Sequence, residues 1–343
     1  MLSLLNLLRL QCIMLSVIAV TGCEREQVIA DSISFSLAAE RDAFLVELRE
    51  DLVFVEGGEF LMGDYGSKYG PEKIPFYNES NNKPLHAVKL SSYSIGAKKI
   101  TNSQFGYYLK SNGLSLRRAT VEEDRWQAIH LPPDNPAHID WYEADQYCNW
   151  LGHISNLPFG LPTEAQWEYA ARSRGQYLMV ATDDGTYRTT STPVTRYDGP
   201  RGINISTRWD RMDFAESTGW TADSSFPLPV DMFPPNPLGL YAMSDNGLEW
   251  VRDWYSPDYY MRSTVTDPQG PQTPDYRDRF GRYLKVVRGQ EMANPLWGGG
   301  VNVYRKGRDP KGHLLKGDTL FLDSLTARCV VNSAVKLDKP DDT

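Results

Sequence analysis

The sequence predicts one loop-rich domain that mixes short helices with short strands. The 22 prolines and 27 glycines among 343 residues are typical of a chain rich in turns. Three helix caps and a few short apolar or alternating runs are separated by long irregular stretches at 174–236 and 256–282. No stretch between residues 52 and 335 resembles a linker, and about 290 residues are enough to bury one substantial core.

The first strands are predicted where an apolar run meets two glycines. Residues 52–55 (LVFV) are followed by Gly57, Gly58 and a second short run that ends at Met62, a pattern typical of a hairpin. Residues 86–95 begin with the alternating run HAVKL and continue into further apolar positions. They predict another strand, whose polar side meets water.

Three helices are predicted from capping boxes, in which the cap residue and the residue three positions later bond each other's backbone. The pairs are Thr101 with Gln104, Asp140 with Glu143, and Thr163 with Gln166. The predicted buried stripes are Phe105, Tyr108 and Leu109 in the first helix, Ala144, Tyr147, Cys148 and Leu151 in the second, and Trp167, Ala170 and Ala171 in the third. Gly113 stands where a left-handed glycine would end the first helix.

The first residues are typical of an export signal. Arg9 precedes an apolar run at 10–20 that suits a signal peptide but is too short to cross a bilayer. The run leads into Val20-Thr21-Gly22-Cys23, which resembles the lipobox of bacterial lipoproteins; an ordinary secretory signal with a chance cysteine is the alternative. We expect a signal peptide at 1–22, a lipid-modified Cys23 that begins a tether at 23–50, the folded domain at 51–335 and a polar tail at 336–343.

Charge and cysteine content narrow the environment of the protein. Glu24, directly after the lipobox, favours attachment to the outer membrane, facing the periplasm. The expected partners are the membrane, through the lipid anchor, and another envelope or secreted protein. A net charge of −8 without a Lys/Arg run argues against nucleic acid, because phosphate binding depends on clustered cations. Cys12 would leave with the signal peptide and Cys23 would carry lipid. Cys148 and Cys329 are then predicted to pair in an oxidising compartment.

Nine motifs follow one another along the chain. They are VEGGEFLMG at 55–63, HAV at 86–88, ITNSQF at 100–105, PAHIDW at 136–141, LPTEAQWEYAAR at 161–172, GLY at 239–241, NGLEWVRDWY at 246–255, VVRG at 286–289 and Arg328-Cys329. This series resembles the formylglycine-generating enzyme family, also called sulfatase-modifying factor. The resemblance implies a single irregular α+β domain, related to the C-type-lectin-like architecture and stabilised by calcium and a disulfide. Cys148 and Cys329 fall at the two positions of the family's disulfide.

The resemblance also implies two structural calcium sites, since irregular loops readily supply oxygen ligands. The first would use Asn204, the carbonyl of Ile205, Asp223 and the carbonyl of Ser225. The second would use the carbonyls of Asp245 and Gly247 with the Glu249 carboxylate. It lacks one side-chain ligand because Ala242 stands at that position, and the carboxylate of Asp245, which replaces a glycine of the family, is the alternative ligand nearby. Turn capping is the alternative role for Asn204 and Asp223.

The founding activity of the family oxidises a substrate cysteine to formylglycine with oxygen and a copper ion held by two cysteines, soft ligands suited to Cu(I). Here Asn294 and Gly299 stand near the expected cysteine positions. Glu291 replaces the serine of the usual Gly-Gly-Ser, and Leu248 replaces the first tryptophan of Asn-x-Trp-Glu-Trp. The resemblance therefore implies that copper is not a cofactor of this chain.

Two classes of function follow from the resemblance. The first is a binding or accessory lipoprotein of the envelope, in secretion or in neutralising an effector. The second is a metal-dependent oxidase with altered chemistry, formylglycine-generating or similar to the relative in periplasmic siderophore maturation. Another branch of the family binds iron through histidines, and His86, His130 and His138 are the candidates here, with ordinary structural roles as the alternative. The catalytic residues of such an oxidase are not identified by the sequence.

Overall fold

The computed structural model describes residues 38–117, 123–189, 202–220, 226–293, 300–315, 319–321 and 324–337. A large compact unit spans Asp51–Leu337. The other unit contains a described helix, α1, at 38–50. The predicted lipidation site, Cys23, lies outside the described residues. No described helix is long and apolar enough to cross a membrane.

The large unit contains six further described α-helices. They are α2 Gly66–Tyr69, α3 Asn102–Ser111, α4 Glu123–His130, α5 Trp141–Ser155, α6 Glu164–Ala171 and α7 Arg208–Ser217. The three predicted capping boxes are confirmed and begin α3, α5 and α6. The predicted buried stripe of α5 is confirmed at all four positions, and Gly113 has a left-handed φ of 62° just beyond α3.

The strands are short and form four described sheets. They are β1 Leu52–Val55, β2 Gly58–Met62, β3 His86–Leu90, β4 Tyr93–Gly96, β5 Phe159–Gly160, β6 Leu248–Trp254, β7 Lys285–Arg288, β8 Arg305–Arg308, β9 His313–Leu315, β10 Thr319–Phe321, β11 Leu325–Thr326 and β12 Val330–Val331. One four-stranded sheet has the order β1-β4-β12-β5 and the other β11-β6-β7-β8. The pairs β2-β3 and β9-β10 form two-stranded sheets. The predicted mixed, loop-rich α+β domain is confirmed.

The predicted hairpin of β1 with β2 is wrong. β1 pairs with β4 and β2 pairs with β3, so the two strands belong to different sheets. Gly57 explains the separation, because a Cβ there would lie 2.3 Å from the Leu90 carbonyl oxygen. The absence of a side chain at Gly57 therefore lets the chain pass close to the end of β3, and the glycine does not form a hairpin turn.

The main hydrophobic core surrounds α6. Trp167, Ala170 and Ala171 on this helix pack in one cluster with residues from seven strands, among them Val55, Ile95, Val251 and Val286. The disulfide between Cys148 on α5 and Cys329 beside β12 is present, with Cα atoms 5.6 Å apart. It joins a helix in the middle of the chain to the sheet strand near its end.

Candidate functional site

Two clusters of almost fully buried, ion-paired side chains lie in the large unit. The Glu164 cluster consists of Glu164, Glu168, Arg172, Arg288 and Arg305, and the Glu249 cluster consists of Lys99, Glu249 and Arg328. Each of these residues is at most 1% exposed. Because buried charges are costly unless they are paired and hydrogen-bonded, the contacts within each cluster determine whether the fold tolerates it.

In the Glu164 cluster, arginines hold both carboxylates. Arg305 donates to both oxygens of Glu164 at 2.6 and 2.9 Å, and Arg288 joins Glu164 to Glu168 through two nitrogens at 2.8 Å each. Arg172 donates to Glu168 at 2.9 Å and to the Leu61 carbonyl at 2.8 Å. Burial raises the pKa of both carboxyls, but the arginines outweigh it and hold each pKa below its usual range. The cluster therefore fastens α6 to β7 and β8.

Asp253 lies beside this cluster on β6. It accepts a hydrogen bond of 2.9 Å from the backbone N–H of Glu164. Burial, reinforced by the Glu164 charge, raises the pKa of Asp253 to about 7. Nearby, the ammonium of Lys285 lies 3.9 Å from the ring centre of Trp141 and 3.8 Å from that of Trp254, and burial lowers the Lys285 pKa to about 8.

In the Glu249 cluster, two different cations share one carboxylate. Lys99 donates from Nζ to Glu249 Oε1 at 2.7 Å and to the Gly247 carbonyl at 2.9 Å. Arg328 donates to both oxygens of Glu249 at 2.7 and 2.9 Å, and the indole of Trp167 donates to Oε2 at 3.0 Å. Burial raises the Glu249 pKa, but Arg328 and Lys99 outweigh it and lower the value to about 2. Glu249 is thus an ionised carboxylate with both oxygens in use.

These contacts do not fit a calcium ion at the second predicted site. Gly247 and Glu249, which the resemblance assigned to the metal, both hold the Lys99 ammonium instead. The Asp245 carboxylate is also engaged, since its Oδ2 accepts from the Ser206 N–H at 2.8 Å and the Ser206 hydroxyl at 2.7 Å. Within the described chain, no group of three or more His, Cys, Asp or Glu residues could hold a metal ion.

The first predicted calcium site is only partly described. Asn204 is buried, its Oδ1 accepts from the Arg188 N–H at 2.8 Å and its Nδ2 donates to Asp183 at 2.9 Å. Ile205 is buried directly after it, whereas Asp223 and Ser225 lie outside the described residues. Calcium at this site stays a prediction.

The segment expected to carry the chemistry follows β7. Its backbone is held by three hydrogen bonds: Asn246 N–H to the Glu291 carbonyl, 2.8 Å; Gly247 N–H to the Gln290 carbonyl, 3.1 Å; and Ala293 N–H to the Ser206 carbonyl, 2.8 Å. The buried Arg211 on α7 also donates to the Glu291 carbonyl. Asn294 and Gly299 lie outside the described residues. The described part thus places this segment directly against the loop that leads into the Glu249 cluster.

Comparison with known proteins identifies the family behind this geometry. The family model of the sulfatase-modifying factor enzyme 1-like domain matches residues 39–313, most of the chain. The chain belongs to this family. The sulfatase-modifying factor domain accounts for the loop-rich α+β fold.

Relatives within the family carry different names. The formylglycine-generating enzyme of Streptomyces coelicolor is 30% identical over 273 residues, covering 68% of this chain and 78% of the relative. That of Bos taurus is 33% identical over 277 residues, covering 68% and 66%. The serine/threonine-protein kinase pkn1 of Chlamydia caviae is 27% identical over 297 residues, 77% of this chain. The match spans only 40% of that kinase, less than half of its length.

Solved structures share the fold. PvdO from Pseudomonas aeruginosa superposes with a TM-score of 0.57 at 21% identity, covering 82% of this chain and 93% of PvdO. The Treponema denticola variable protein 1 superposes with a TM-score of 0.51 at 19% identity, covering 82% and 95%. These likenesses extend the family's fold to proteins with different names.

Only two of the three candidate histidines of this sulfatase-modifying factor domain lie next to each other. His130 at the end of α4 lies beside His138, with ring centres 6.3 Å apart, whereas His86 packs against Tyr260. Burial lowers the pKa of His130 to about 4 and that of His138 well below its usual range. Nδ1 of the buried His138 finds no hydrogen-bond partner among the described residues. Both imidazoles are therefore neutral.

Sequence reasoning missed the Glu164 cluster. It treated α6 as a helix with one apolar face, but all eight of its residues are buried. Glu164 and Glu168 are one turn apart, as expected for two carboxylates on the same face of a helix. That spacing, in a helix with apolar residues on its other faces, was the available signal for buried charge. It also missed α7, although Thr207 and Asp210 form a capping box.

Proposed function

We propose that this protein is a lipid-anchored protein of the bacterial cell envelope that binds another envelope or secreted protein and does not oxidise cysteine with copper. The observation that carries the proposal is the sequence at the expected copper ligands, where Asn294 and Gly299 offer no thiol. An accessory role in secretion, or the neutralisation of an effector, is the form of binding we expect.

The chemistry of copper supports the proposal. Copper(I) prefers soft ligands, and a thiolate is both soft and anionic. Asparagine offers a neutral amide, and glycine has no side chain. Cys148 and Cys329 do not replace the missing pair, because they form a disulfide with each other. The family's oxidation therefore lacks its ligands in this chain.

The direct test is an assay for aldehyde. Copper-loaded protein is incubated with a sulfatase-motif peptide under oxygen, and the product is analysed by mass spectrometry. We expect no formylglycine from the native sequence. The matched variant Asn294→Cys with Gly299→Cys restores both thiols and should bind copper(I) where the native protein does not. Turnover by the native sequence would contradict the proposal.

The binding partner can be sought from the exposed apolar side chains. Leu131, Trp209, Met261 and Phe280 are between 52% and 68% exposed. A photo-crosslinking residue placed at each position in living cells should give adducts with one envelope or secreted protein from at least one of the four. The same residue at the buried Val286 is the control and should give none. The absence of protein adducts from all four positions would count against a binding role.

The lipid anchor has its own test. Replacing Cys23 with serine removes the thiol that is acylated, so the precursor should remain unprocessed and the protein should leave the membrane fraction. Globomycin, which blocks lipoprotein signal peptidase, is the control and should cause the native precursor to accumulate. Normal processing and membrane fractionation of Cys23→Ser would exclude the anchor.

The second candidate is a metal-dependent oxidase with altered chemistry. It is favoured by the adjacent neutral imidazoles of His130 and His138, because neutral imidazole is the form that binds metal. Protein purified without oxygen would then contain a transition metal, and His138→Ala would lose it. His153→Ala, at an exposed position on α5, is the control and should keep it. Metal-free native protein would remove this candidate.

A further inference from the structure

We propose that the ammonium group of Lys99 takes the place of calcium at the second predicted site, so that this part of the domain carries its own cation. The site takes no divalent ion while Lys99 is present. The inference is independent of the proposed binding function, because it concerns the ion that the fold requires.

The contacts of Lys99 are those expected of a bound cation. Its Nζ lies 2.9 Å from the Gly247 carbonyl oxygen and 2.7 Å from Glu249 Oε1. These are two of the three oxygen donors that the resemblance assigns to the metal. Lys99 is 148 and 150 residues away from them in sequence, so the fold brings the ammonium to them.

The backbone around the ammonium is fixed. Gly247 has a φ of +113°, and a Cβ at this position would lie 2.7 Å from Cγ2 of Thr326. Its N–H donates to the Gln290 carbonyl at 3.1 Å, so both ends of the residue are held. On the other side, the Ile100 N–H donates to the Ala327 carbonyl at 2.8 Å and holds the chain next to Lys99. The oxygen and the ammonium are therefore placed by the surrounding fold.

The charges at the site oppose a second cation. One carboxylate, Glu249, already faces the ammonium of Lys99 and the guanidinium of Arg328. A calcium ion binds six to eight oxygen ligands, and several of these are usually carboxylate oxygens. Here it would displace Lys99 from Glu249, its carboxylate partner among the described residues, and lie against two positive charges. Repulsion in a region of low dielectric is strong, so calcium cannot share the site with Lys99.

The backbone at Ala242 has a conformation that is unfavourable for alanine. Its φ of +51° is in the left-handed region, which asparagine tolerates far better than alanine. The resemblance places a side-chain ligand at this position, and alanine has none. The loop thus keeps a left-handed turn at the point where the ligand is missing, as expected where a metal has been replaced by a side-chain cation.

The test removes the internal cation and measures calcium binding to the full mature chain. Lys99→Ala deletes the ammonium and opens space beside Glu249 and Gly247. We expect this variant to bind one more calcium ion per molecule than the native protein by isothermal titration calorimetry. In EDTA its melting temperature should fall by about 5–10 °C, and millimolar calcium should restore part of the loss, since a ligand that binds only the folded state stabilises it.

Lys98→Ala is the matched control. Lys98 is the neighbouring lysine, is partly exposed and pairs with Asp231 at 3.1 Å. Its variant should bind the same number of calcium ions as the native protein and respond equally to EDTA. Calcium at the Asn204 site would affect both variants alike, so the difference between them reports only on the Lys99 site. Equal calcium binding and equal melting behaviour of the two variants would overturn the proposal.

A second variant keeps the test decisive if Lys99→Ala does not fold. Ala242→Asn adds a side-chain oxygen at a left-handed position that asparagine accepts, and it leaves Lys99 in place. If the ammonium fills the site, this variant binds no additional calcium. An extra calcium ion bound by Ala242→Asn would show that the ion and Lys99 coexist, which contradicts the proposal.

Discussion

In the Glu164 cluster the cations paired with the carboxylates are arginines, whereas the Glu249 cluster combines Arg328 with Lys99. Arginine presents a planar fork, so Arg288 reaches Glu164 and Glu168 at once and bridges them. Lysine presents a compact charge, and the ammonium of Lys99 meets a carbonyl and a carboxylate as a small ion would. The comparison teaches that a planar guanidinium can link two carboxylates, whereas a compact ammonium can be surrounded by separate carbonyl and carboxylate oxygens.

The two clusters also differ in their dependence on a single carboxylate. Glu249 is the carboxylate that holds both Lys99 and Arg328. In the Glu164 cluster, by contrast, Arg288 also reaches a second carboxylate, Glu168, at 2.8 Å. Backbone carbonyls support arginines in both clusters, for example Asn81 for Arg305 at 2.8 Å and Tyr241 for Arg328 at 2.7 Å. Loss of the central carboxylate should therefore cost more in the Glu249 cluster.

The largest effect is expected from Glu249→Gln. This change leaves two buried cations, Lys99 and Arg328, without the carboxylate that they share, and breaking a buried pair costs about 3–5 kcal/mol. Urea unfolding followed by circular dichroism should show this loss or a failure to fold. Glu164→Gln should cost less in the same assay, because Arg288 keeps its ion pair with Glu168. Equal losses from the two variants would break the comparison between the clusters.

Removal of the disulfide should have the next largest effect. Cys148→Ala with Cys329→Ala should lower the free energy of unfolding by about 2–5 kcal/mol. Cys329 follows Arg328 in the chain, so the loss should couple to Glu249→Gln in a double-mutant cycle and be additive with Glu164→Gln. Intact-mass measurement with and without reductant checks the bridge itself. Additive behaviour with both variants would separate the disulfide from the Glu249 cluster.

A smaller effect concerns pH and Asp253. Its folded pKa of about 7 is raised above the ordinary 3.8, so between these values the folded state binds more protons. The Asp253 contribution to stability is thus full below pH 4 and is lost as pH rises to about 7, by no more than about 4 kcal/mol. Asp253→Asn should remove this slope from unfolding curves measured between pH 4 and 8. Parallel profiles for native protein and variant would show that Asp253 does not titrate in this window.

The smallest effect is expected at an exposed pair. Glu59 and Lys89 face each other across β2 and β3, with 3.5 Å between charged atoms and most of each side chain in water. Glu59→Gln should change the free energy of unfolding by less than about 1 kcal/mol, and salt should reduce the difference further. A loss as large as that of Glu164→Gln would show that burial is not what distinguishes the clusters.

The helices were predictable to the extent that local chemistry determines them. The capping boxes at Thr101, Asp140 and Thr163 act within four residues, and all three are present. The hairpin failed because pairing of β1 depends on β4, about forty residues later, and short apolar runs do not encode a partner. Five of the seven candidate calcium ligands lie among the described residues, and nothing in the sequence indicated that Lys99 would contact two of them.

By itself, the sequence determined the helix starts, the Cys148–Cys329 pair and the family to which the motifs point, because each depends on nearby residues or on a short series of residue types. Only the tertiary structure decided which strands pair and which cation faces Glu249. The physical reason is that a buried charge takes whichever opposite charge the fold brings within about 3 Å. For Glu249 those are Lys99, 150 residues before it, and Arg328, 79 residues after it.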